Sequence, residues 1–131
     1  QSLADYVTCL PLLFTLTWRE GARRSLDQNA LLHKWYGEIA KQAGDLKANE
    51  VKAQCHVAFG VPIRRRDTAF NWVWEQSAGK LPYEKQLTLF ERGVLAMTRE
   101  MTKAELSEYM DTMSRHYRAR GFRLTDPESA A

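Results

Sequence analysis

Apolar and polar positions alternate near the start of the chain. Between residues 8 and 20, apolar side chains recur at every second position, with threonines between the last of them. A period of two is typical of a strand that buries one face. We therefore predict a half-buried strand over residues 8–20, followed by a turn over residues 21–24. The apolar series is Leu10, Leu12, Phe14, Leu16 and Trp18.

After Ser25 the spacing of apolar positions changes to three and four residues. Ser25 and Gln28 have the S-x-x-Q spacing of a capping box, in which the two side chains bond backbone amides at a helix start. The sequence therefore predicts a helix that begins at Ser25 and ends before Gly44, a residue suited to stop it. Its apolar face consists of Leu32, Trp35, Tyr36, Ile39, Ala40 and Ala43.

Two shorter helices are predicted in the middle of the chain. The first spans residues 49–59, because Gly60 and Pro62 are expected to end it. The second begins at Asp67 or Thr68, either of which suits an N-cap.

The remaining elements follow after Leu81. A helix with Pro82 in its first turn is predicted to run to about Arg92, and residues 94–98 allow a short strand. Thr102 and Glu105 form a T-x-x-E capping box, which predicts the start of the last helix. The apolar stripe of that helix, before Gly121 stops it, is Leu106, Tyr109, Met110, Met113 and Tyr117.

These elements predict an α+β fold that is mainly helical, with several packed helices and a small minor β-sheet. With 131 residues and 44% hydrophobic composition, the chain suits a single domain over residues 1–131. Residues 125–131 are expected to form a flexible tail. The pattern leaves open whether the stripes of the first and last helices form one core or partly a dimer seam.

Composition favours a cytoplasmic protein that does not enter a membrane. The longest apolar run, residues 9–16, contains Pro11 and is far shorter than the roughly 20 residues of a membrane span. No signal peptide is visible. Cys9 and Cys55 are too few for a disulfide framework and suit a reducing compartment. The formal net charge of +3 permits binding to a polyanion without requiring it.

Sequence motifs for catalysis are weak, so we predict a binding protein with no catalytic residues, no cofactor and no metal site. His33, His56 and His116 lack metal-ligand spacing. Asp45 and Glu50, with Lys52, resemble the acidic and lysine pattern of metal-dependent nucleases, but that pattern belongs on a strand and here it opens a helix. A nuclease is therefore the third hypothesis.

The segment from residue 112 to residue 124 carries arginines, one histidine and no acid. Cations that follow a backbone, interleaved with rings on which bases stack, are typical of single-strand binding without sequence preference. The alternative is that the arginines complement the helix dipole and Tyr117 continues the core stripe. The candidate phosphate contacts are Arg115, Arg118, Arg120 and Arg123, and the candidate stacking rings are Tyr117 and Phe122.

A second cationic candidate is the run of Arg64, Arg65 and Arg66, which we expect on an exposed loop. Adjacent guanidiniums repel each other unless an anion or an acidic partner lies nearby. Trp72 and Trp74 follow, and a two-residue spacing on a helix cannot place both on one face. We therefore expect one of them to be exposed for stacking or for a partner.

Arg23 and Arg24 form a third candidate contact with phosphate. They directly precede the predicted helix start at Ser25. Free amides at a helix N-terminus favour an anion.

The residues R-S-L-D-Q-N at Arg24–Asn29, followed by Trp35-Tyr36-Gly37, resemble the NinB or lambda Orf family of phage recombination proteins. A second similarity covers Met101–Glu105 and the Arg120-Gly121-Phe122 turn. The resemblance implies a mainly helical homodimer that acts as a recombination mediator in the bacterial host cell. It further implies binding to single-stranded DNA and to the host single-strand-binding protein, without nuclease activity.

Within the matched motif, Gln28 is the best candidate for a polar group that faces DNA. On the same helix, His33 stands where the lambda family member has Trp, and it joins the candidate DNA contacts. The runner-up function is an interaction module for a host replication or repair protein. In that case the arginine run at residues 64–66 would bind an acidic tail.

Overall fold

The computed structural model describes the backbone of residues 11–127 and the side chains of residues 27–127. Helices account for most of this part. In chain order they are α1 (Pro11–Ala43), α2 (Ala48–Cys55), a π-helical turn (His56–Gly60), α3 (Val61–Arg64), α4 (Thr68–Gln76), a 3-10 turn (Ala78–Lys80), α5 (Tyr83–Glu91), a second 3-10 turn (Thr98–Glu100) and α6 (Lys103–Ala119).

The mainly helical prediction is confirmed, but residues 11–127 contain no β-strand, so the minor sheet is wrong. Helix α1 already begins at Pro11 and occupies most of the predicted strand and all of the predicted turn. Residues 8–10 lie outside the described part. Leu12, Leu13 and Leu16 also fit helical spacing, which the period-two interpretation ignored.

Because α1 runs through Ser25, the predicted capping box there is wrong. The Gln28 side chain instead donates from Nε2 to Ser107 Oγ, 2.9 Å away on α6. The predicted end of the helix is confirmed at Ala43, and Gly44 follows with a φ of +87°. That left-handed conformation suits glycine, and the Gly44 amide donates to the Ala40 carbonyl at 3.0 Å.

Gly60 and Pro62 do not end a helix as predicted. The backbone stays right-handed helical from α2 into α3, with a π-type bond from the Val61 amide to the His56 carbonyl. Pro62 is accommodated because it lies in the first turn of α3. Gly60 serves packing, since a Cβ there would lie 2.9 Å from Met97 Cγ.

Most of the other predicted helix boundaries are confirmed. Asp67 caps α4 by accepting from the Phe70 amide at 2.9 Å, and the Thr102 hydroxyl caps α6 by accepting from the Glu105 amide at 3.1 Å. Pro82 stands at the N-cap of α5. The strand allowed over residues 94–98 is wrong, because this segment is irregular and leads into the second 3-10 turn.

The long helix α1 and the last helix α6 share one core with α2. The buried residues of their apolar stripes therefore pack within the chain. At the centre of this core the Tyr36 and Tyr109 hydroxyls are hydrogen-bonded at 2.7 Å. A second apolar cluster joins α2, α4 and α5 around Trp74, Phe90 and Met97. The central core includes Leu32, Trp35, Tyr36, Ile39, Val51, Cys55, Leu106, Tyr109, Met110 and Met113. Within the described residues, no helix combines the length and apolar character that crossing a membrane requires.

Candidate nucleic-acid interface

The segment after α6 turns back and lies along α1. Gly121, with a φ of +88°, makes the turn. We call residues 121–126 the C-terminal strap. The strap's backbone is hydrogen-bonded by α1 side chains: Gln42 bonds both the amide and the carbonyl of Arg123, at 2.8 and 2.7 Å. Trp35 and Glu38 bond the backbone of Thr125, the first residue of the predicted tail, and the predicted flexibility of that tail stays a prediction.

Apolar contacts hold the other side of the strap. Leu124 is buried in the central core, and Phe122 packs edge-on against Tyr117 with ring centroids 5.3 Å apart. The Arg118 guanidinium donates to the Leu124 carbonyl at 3.2 Å and to Asp126 at 3.1 Å. The strap therefore ties the end of α6 to α1.

The predicted arginines of this region lie in the second half of α6, at its end and in the strap. Arg115, Arg118, Arg120 and Arg123 are all exposed, and we call them the C-terminal basic surface. Their contacts are local: Arg115 pairs with Asp111 one helical turn away, at 3.0 Å, and Arg118 pairs with Asp126. Exposed pairs of this kind contribute only about 0–1 kcal/mol. A phosphate can therefore replace the carboxylate at small cost.

His116 belongs to the same surface. Arg120 Nη1 lies 3.2 Å from His116 Nδ1 and also donates to the His116 carbonyl. Because a guanidinium can only donate, the contact with Nδ1 is a hydrogen bond only while Nδ1 carries no proton. Partial burial and the nearby Arg120 charge both lower the pKa of His116.

The stacking candidates differ in accessibility. Tyr117 and Phe122 are half-buried, so each presents only part of its ring to solvent. Trp72 is 65% exposed, whereas Trp74 is 7% exposed and lies in the second apolar cluster. This confirms that the two tryptophans lie on different faces of α4, and it makes Trp74 unsuitable for stacking on a base.

The arginine run lies at the end of α3 and in the following turn, and we call Arg64, Arg65 and Arg66 the arginine loop. Each guanidinium contacts a carboxylate of the same chain: Arg64 pairs with Glu105 at 3.3 Å and Arg65 with Glu75 at 3.1 Å. Arg66 binds both oxygens of Glu108, with one contact at 2.8 Å. The acidic partner that such a run requires is therefore intramolecular.

The two basic regions adjoin along α6. The arginine loop contacts Glu105 and Glu108 in the first turns of that helix, and the C-terminal basic surface begins at Arg115, which contacts Asp111. Asp111 lies about 5 Å beyond Glu108 along the helix axis, whereas Arg120 lies about 18 Å beyond it. Only the Arg115 end of the C-terminal basic surface is therefore close to the arginine loop.

The predicted contacts on α1 are dispersed. Gln28 is half-buried and bonded to Ser107, and exposed His33 lies edge-on to Tyr36 with a centroid distance of 5.8 Å. Burial, and then the Lys52 charge, lowers the pKa of His33. Arg23 and Arg24 lie within α1 rather than before its start, so no free helix amides accompany them. Their side chains lie outside the described part.

The residues of the nuclease hypothesis serve helix geometry. The Glu50 carboxylate accepts from the Lys47 amide at 2.9 Å and thereby caps α2. Asp45 is exposed in the turn after α1. Across the residues that the structure describes, no group of at least three histidine, cysteine or acidic side chains is placed to hold a metal ion.

An apolar cavity escaped the sequence analysis. It has a volume of about 50 Å³ and is lined mainly by Val73, Trp74, Phe90, Leu95 and Met97. Trp72, Val73 and Val94, which are close in sequence to the lining, are exposed. The sequence offers little indication of this cavity, because apolar residues of short helices and turns are common in any core. Gln42 and Glu38 were also missed, because polar residues at the edge of an amphipathic helix normally face water.

His56 is the most buried titratable histidine, at 3% exposure. Phe90, Tyr109 and Tyr36 surround its ring, with the nearest centroid at 5.2 Å. Neither ring nitrogen has a hydrogen-bond partner among the described residues. Burial, with smaller effects of Lys52 and His33, lowers the pKa of His56 to about 3. The ring is therefore neutral and acts as a packing group.

The comparisons with known proteins assign no family to the chain. No protein-family model, curated protein or solved structure matches it. The resemblance to the NinB or Orf family therefore stays a prediction that depends on the motifs quoted above.

Proposed function

We propose that this protein binds single-stranded DNA without sequence preference through the C-terminal basic surface, and that it serves as an accessory protein in phage-type recombination. The observation that carries the proposal is that four arginines, close in sequence at the end of α6 and in the strap, are all exposed. Guanidiniums arranged beside half-buried rings supply both phosphate contacts and partial stacking. The recombination role and the homodimer come from the resemblance in the motifs.

The C-terminal basic surface is a better DNA site than the arginine loop. In the loop, Arg64 is half-buried and Arg66 is held by both oxygens of Glu108. A phosphate would have to displace carboxylates that connect two elements. At the C-terminal basic surface it displaces exposed Asp111, which belongs to the same helix as Arg115, and exposed Asp126 of the strap, eight positions from Arg118.

Fluorescence anisotropy with a labelled oligothymidine, over a salt series, tests the proposal. The variant Arg115→Ala/Arg118→Ala/Arg120→Ala should bind more weakly and show a smaller dependence on salt. Each lost phosphate contact reduces the slope of log K against log salt by about 0.7 for single strands, so the total reduction should be about 2. Size-exclusion chromatography with light scattering gives the oligomeric state of each sample.

The matched control is Lys80→Ala/Arg92→Ala/Arg99→Ala, which removes the same charge from exposed positions elsewhere. If both triple variants lose affinity equally, the effect is that of net charge alone and the proposed site is wrong. Parent protein that fails to bind at low salt would reject DNA binding altogether.

A second candidate function is an interaction module for a host replication or repair protein, and the apolar cavity favours it. Exposed Trp72 and Val73 lie on α4, the same helix that supplies Asn71 and Glu75 to Arg65. An acidic peptide with a terminal apolar side chain matches this combination of apolar surface and cation. Binding of a labelled single-strand-binding-protein tail peptide, lost in Trp72→Ala and Val73→Ser but kept in Arg120→Ala, would support it.

A further inference from the structure

The position of Arg123 is set by a residue of another helix. The Arg123 amide donates to Gln42 Oε1 at 2.8 Å, and Gln42 Nε2 donates to the Arg123 carbonyl at 2.7 Å. One amide side chain thus satisfies both backbone groups of this residue. The pair joins α1 to the strap across 81 positions of sequence.

The neighbouring contacts fix the strap on both sides of Arg123. Leu124 is buried, and its carbonyl accepts from Arg118. Glu38 accepts from both the amide and the hydroxyl of Thr125 at 3.0 and 2.7 Å. Between half-buried Phe122 and buried Leu124, Arg123 is exposed to solvent.

We propose that Gln42 is a positioning residue for DNA binding: it holds the strap so that Arg123 adds its guanidinium to the C-terminal basic surface beside Arg118 and Arg120. This inference rests on the proposed function. Gln42 itself is uncharged and needs no contact with DNA. Without Gln42, the backbone of Arg123 would bond to water and the strap would be less ordered. The entropic cost of ordering the strap on DNA binding would then offset part of the free energy gained from the Arg123 contact with phosphate.

A double-mutant cycle with labelled oligothymidine tests the inference. Arg123→Ala should weaken binding by about threefold to tenfold and reduce the salt slope by about 0.7. Gln42→Ala, which removes no charge, should reproduce part of both effects, because Leu124 and Thr125 still anchor the strap. The double variant should bind no more weakly than Arg123→Ala, because Gln42 acts through Arg123.

Gln76→Ala, an exposed glutamine on α4, is the matched control and should bind like the parent protein. Hydrogen exchange supplies a readout without DNA, since Gln42→Ala should speed exchange of the Arg123 amide. Three outcomes would overturn the role of Gln42 and leave the proposed DNA site standing. These are unchanged exchange of the Arg123 amide in Gln42→Ala, unchanged DNA affinity in Gln42→Ala, and fully additive losses in the double variant. Parent protein that does not bind, or Arg123→Ala that binds like the parent, would overturn the proposed site and this inference with it.

Discussion

The arginine loop and the C-terminal basic surface are similar as sequence but differ in their partners. In the loop, Arg64 and Arg66 reach carboxylates 41 and 42 positions away on α6. At the C-terminal basic surface, Arg115 and Arg118 use carboxylates four and eight positions away. Long-range pairs connect elements of the fold, whereas local exposed pairs are easily exchanged. Arg64, whose side chain is 16% exposed, is therefore structural. Arg65 and Arg66 are as exposed as Arg118, but their carboxylates belong to other helices, so exchange for a ligand would loosen contacts between elements.

Acid should destabilise the protein more than any change at either arginine region, because His56 is buried and neutral. Its pKa is lowered from 6.5 to about 3, so the unfolded chain binds the proton first as pH falls. The stability is complete above pH 6.5 and decreases as pH falls toward 3. At pH 4 the free energy of unfolding should be about 3 kcal/mol lower than at pH 7.

Urea unfolding of the parent protein and of His56→Leu from pH 7 to pH 4 measures this effect. Leucine does not titrate, so the variant should lose much less stability over the same range. His33→Gln is the comparison: the pKa of His33 is also lowered, but its side chain is exposed, so this variant should reduce the dependence of stability on pH less than His56→Leu does. If the free energy of unfolding of His56→Leu falls with pH as steeply as that of the parent protein, the acid sensitivity comes from other groups. The result also fixes the pH range in which the two arginine regions can be compared on folded protein.

The sequence predicted helix boundaries best where the signal is local. The Asp67 cap, the Thr102 and Glu105 box and the Gly44 stop each depend on neighbours within a few residues, and all are confirmed. The predicted stripe of α6 is buried from Leu106 to Met113 for the same reason.

Predictions failed where two local patterns compete, or where contacts between distant residues determine the local structure and the partners of charged groups. Residues 11–20 fit both period two and helical spacing, and the helix prevailed. Gly60 and Pro62 look like a helix end, but the close approach of Met97 to Gly60 and the π turn keep the chain helical. The carboxylates that face the arginine loop come from α4 and α6, so no local pattern could distinguish the two arginine regions.

Loss of Arg64 should affect stability rather than DNA binding. Its side chain is 16% exposed, pairs with Glu105 and lies over the Phe70 ring at 5.2 Å. Arg64→Ala should lower the free energy of unfolding by about 2 kcal/mol, because it leaves Glu105 without this partner and removes packing from Phe70. Arg115→Ala should change it by less than about 0.5 kcal/mol. Chemical unfolding at pH 7 measures both, and equal losses would break the distinction between the regions.

Neutralising one carboxylate in each region tests directly which arginines are available to DNA. Asp126→Asn and Glu108→Gln each remove one negative charge, the first beside Arg118 and the second beside Arg66. We expect Asp126→Asn to raise the affinity for oligothymidine by about twofold to threefold, and Glu108→Gln to raise it less. Anisotropy at fixed salt measures the two. A larger gain in Glu108→Gln would move the DNA site to the arginine loop.

An effect as small as that of Asp126→Asn is expected in mild acid, where DNA binding should strengthen modestly. His116 lies beside Arg120 and has a lowered pKa, so it gains its charge only below its ordinary value of 6.5. Bound phosphate favours that charge, and affinity for oligothymidine should rise about twofold to threefold from pH 7.5 to pH 5.5. The charge of the arginine loop should not change over this pH range. The hydrogen bond from Arg66 lowers the pKa of Glu108, so this carboxylate stays ionised. His116→Gln should abolish the rise and His33→Gln should keep it; the reverse pattern would place the DNA on α1.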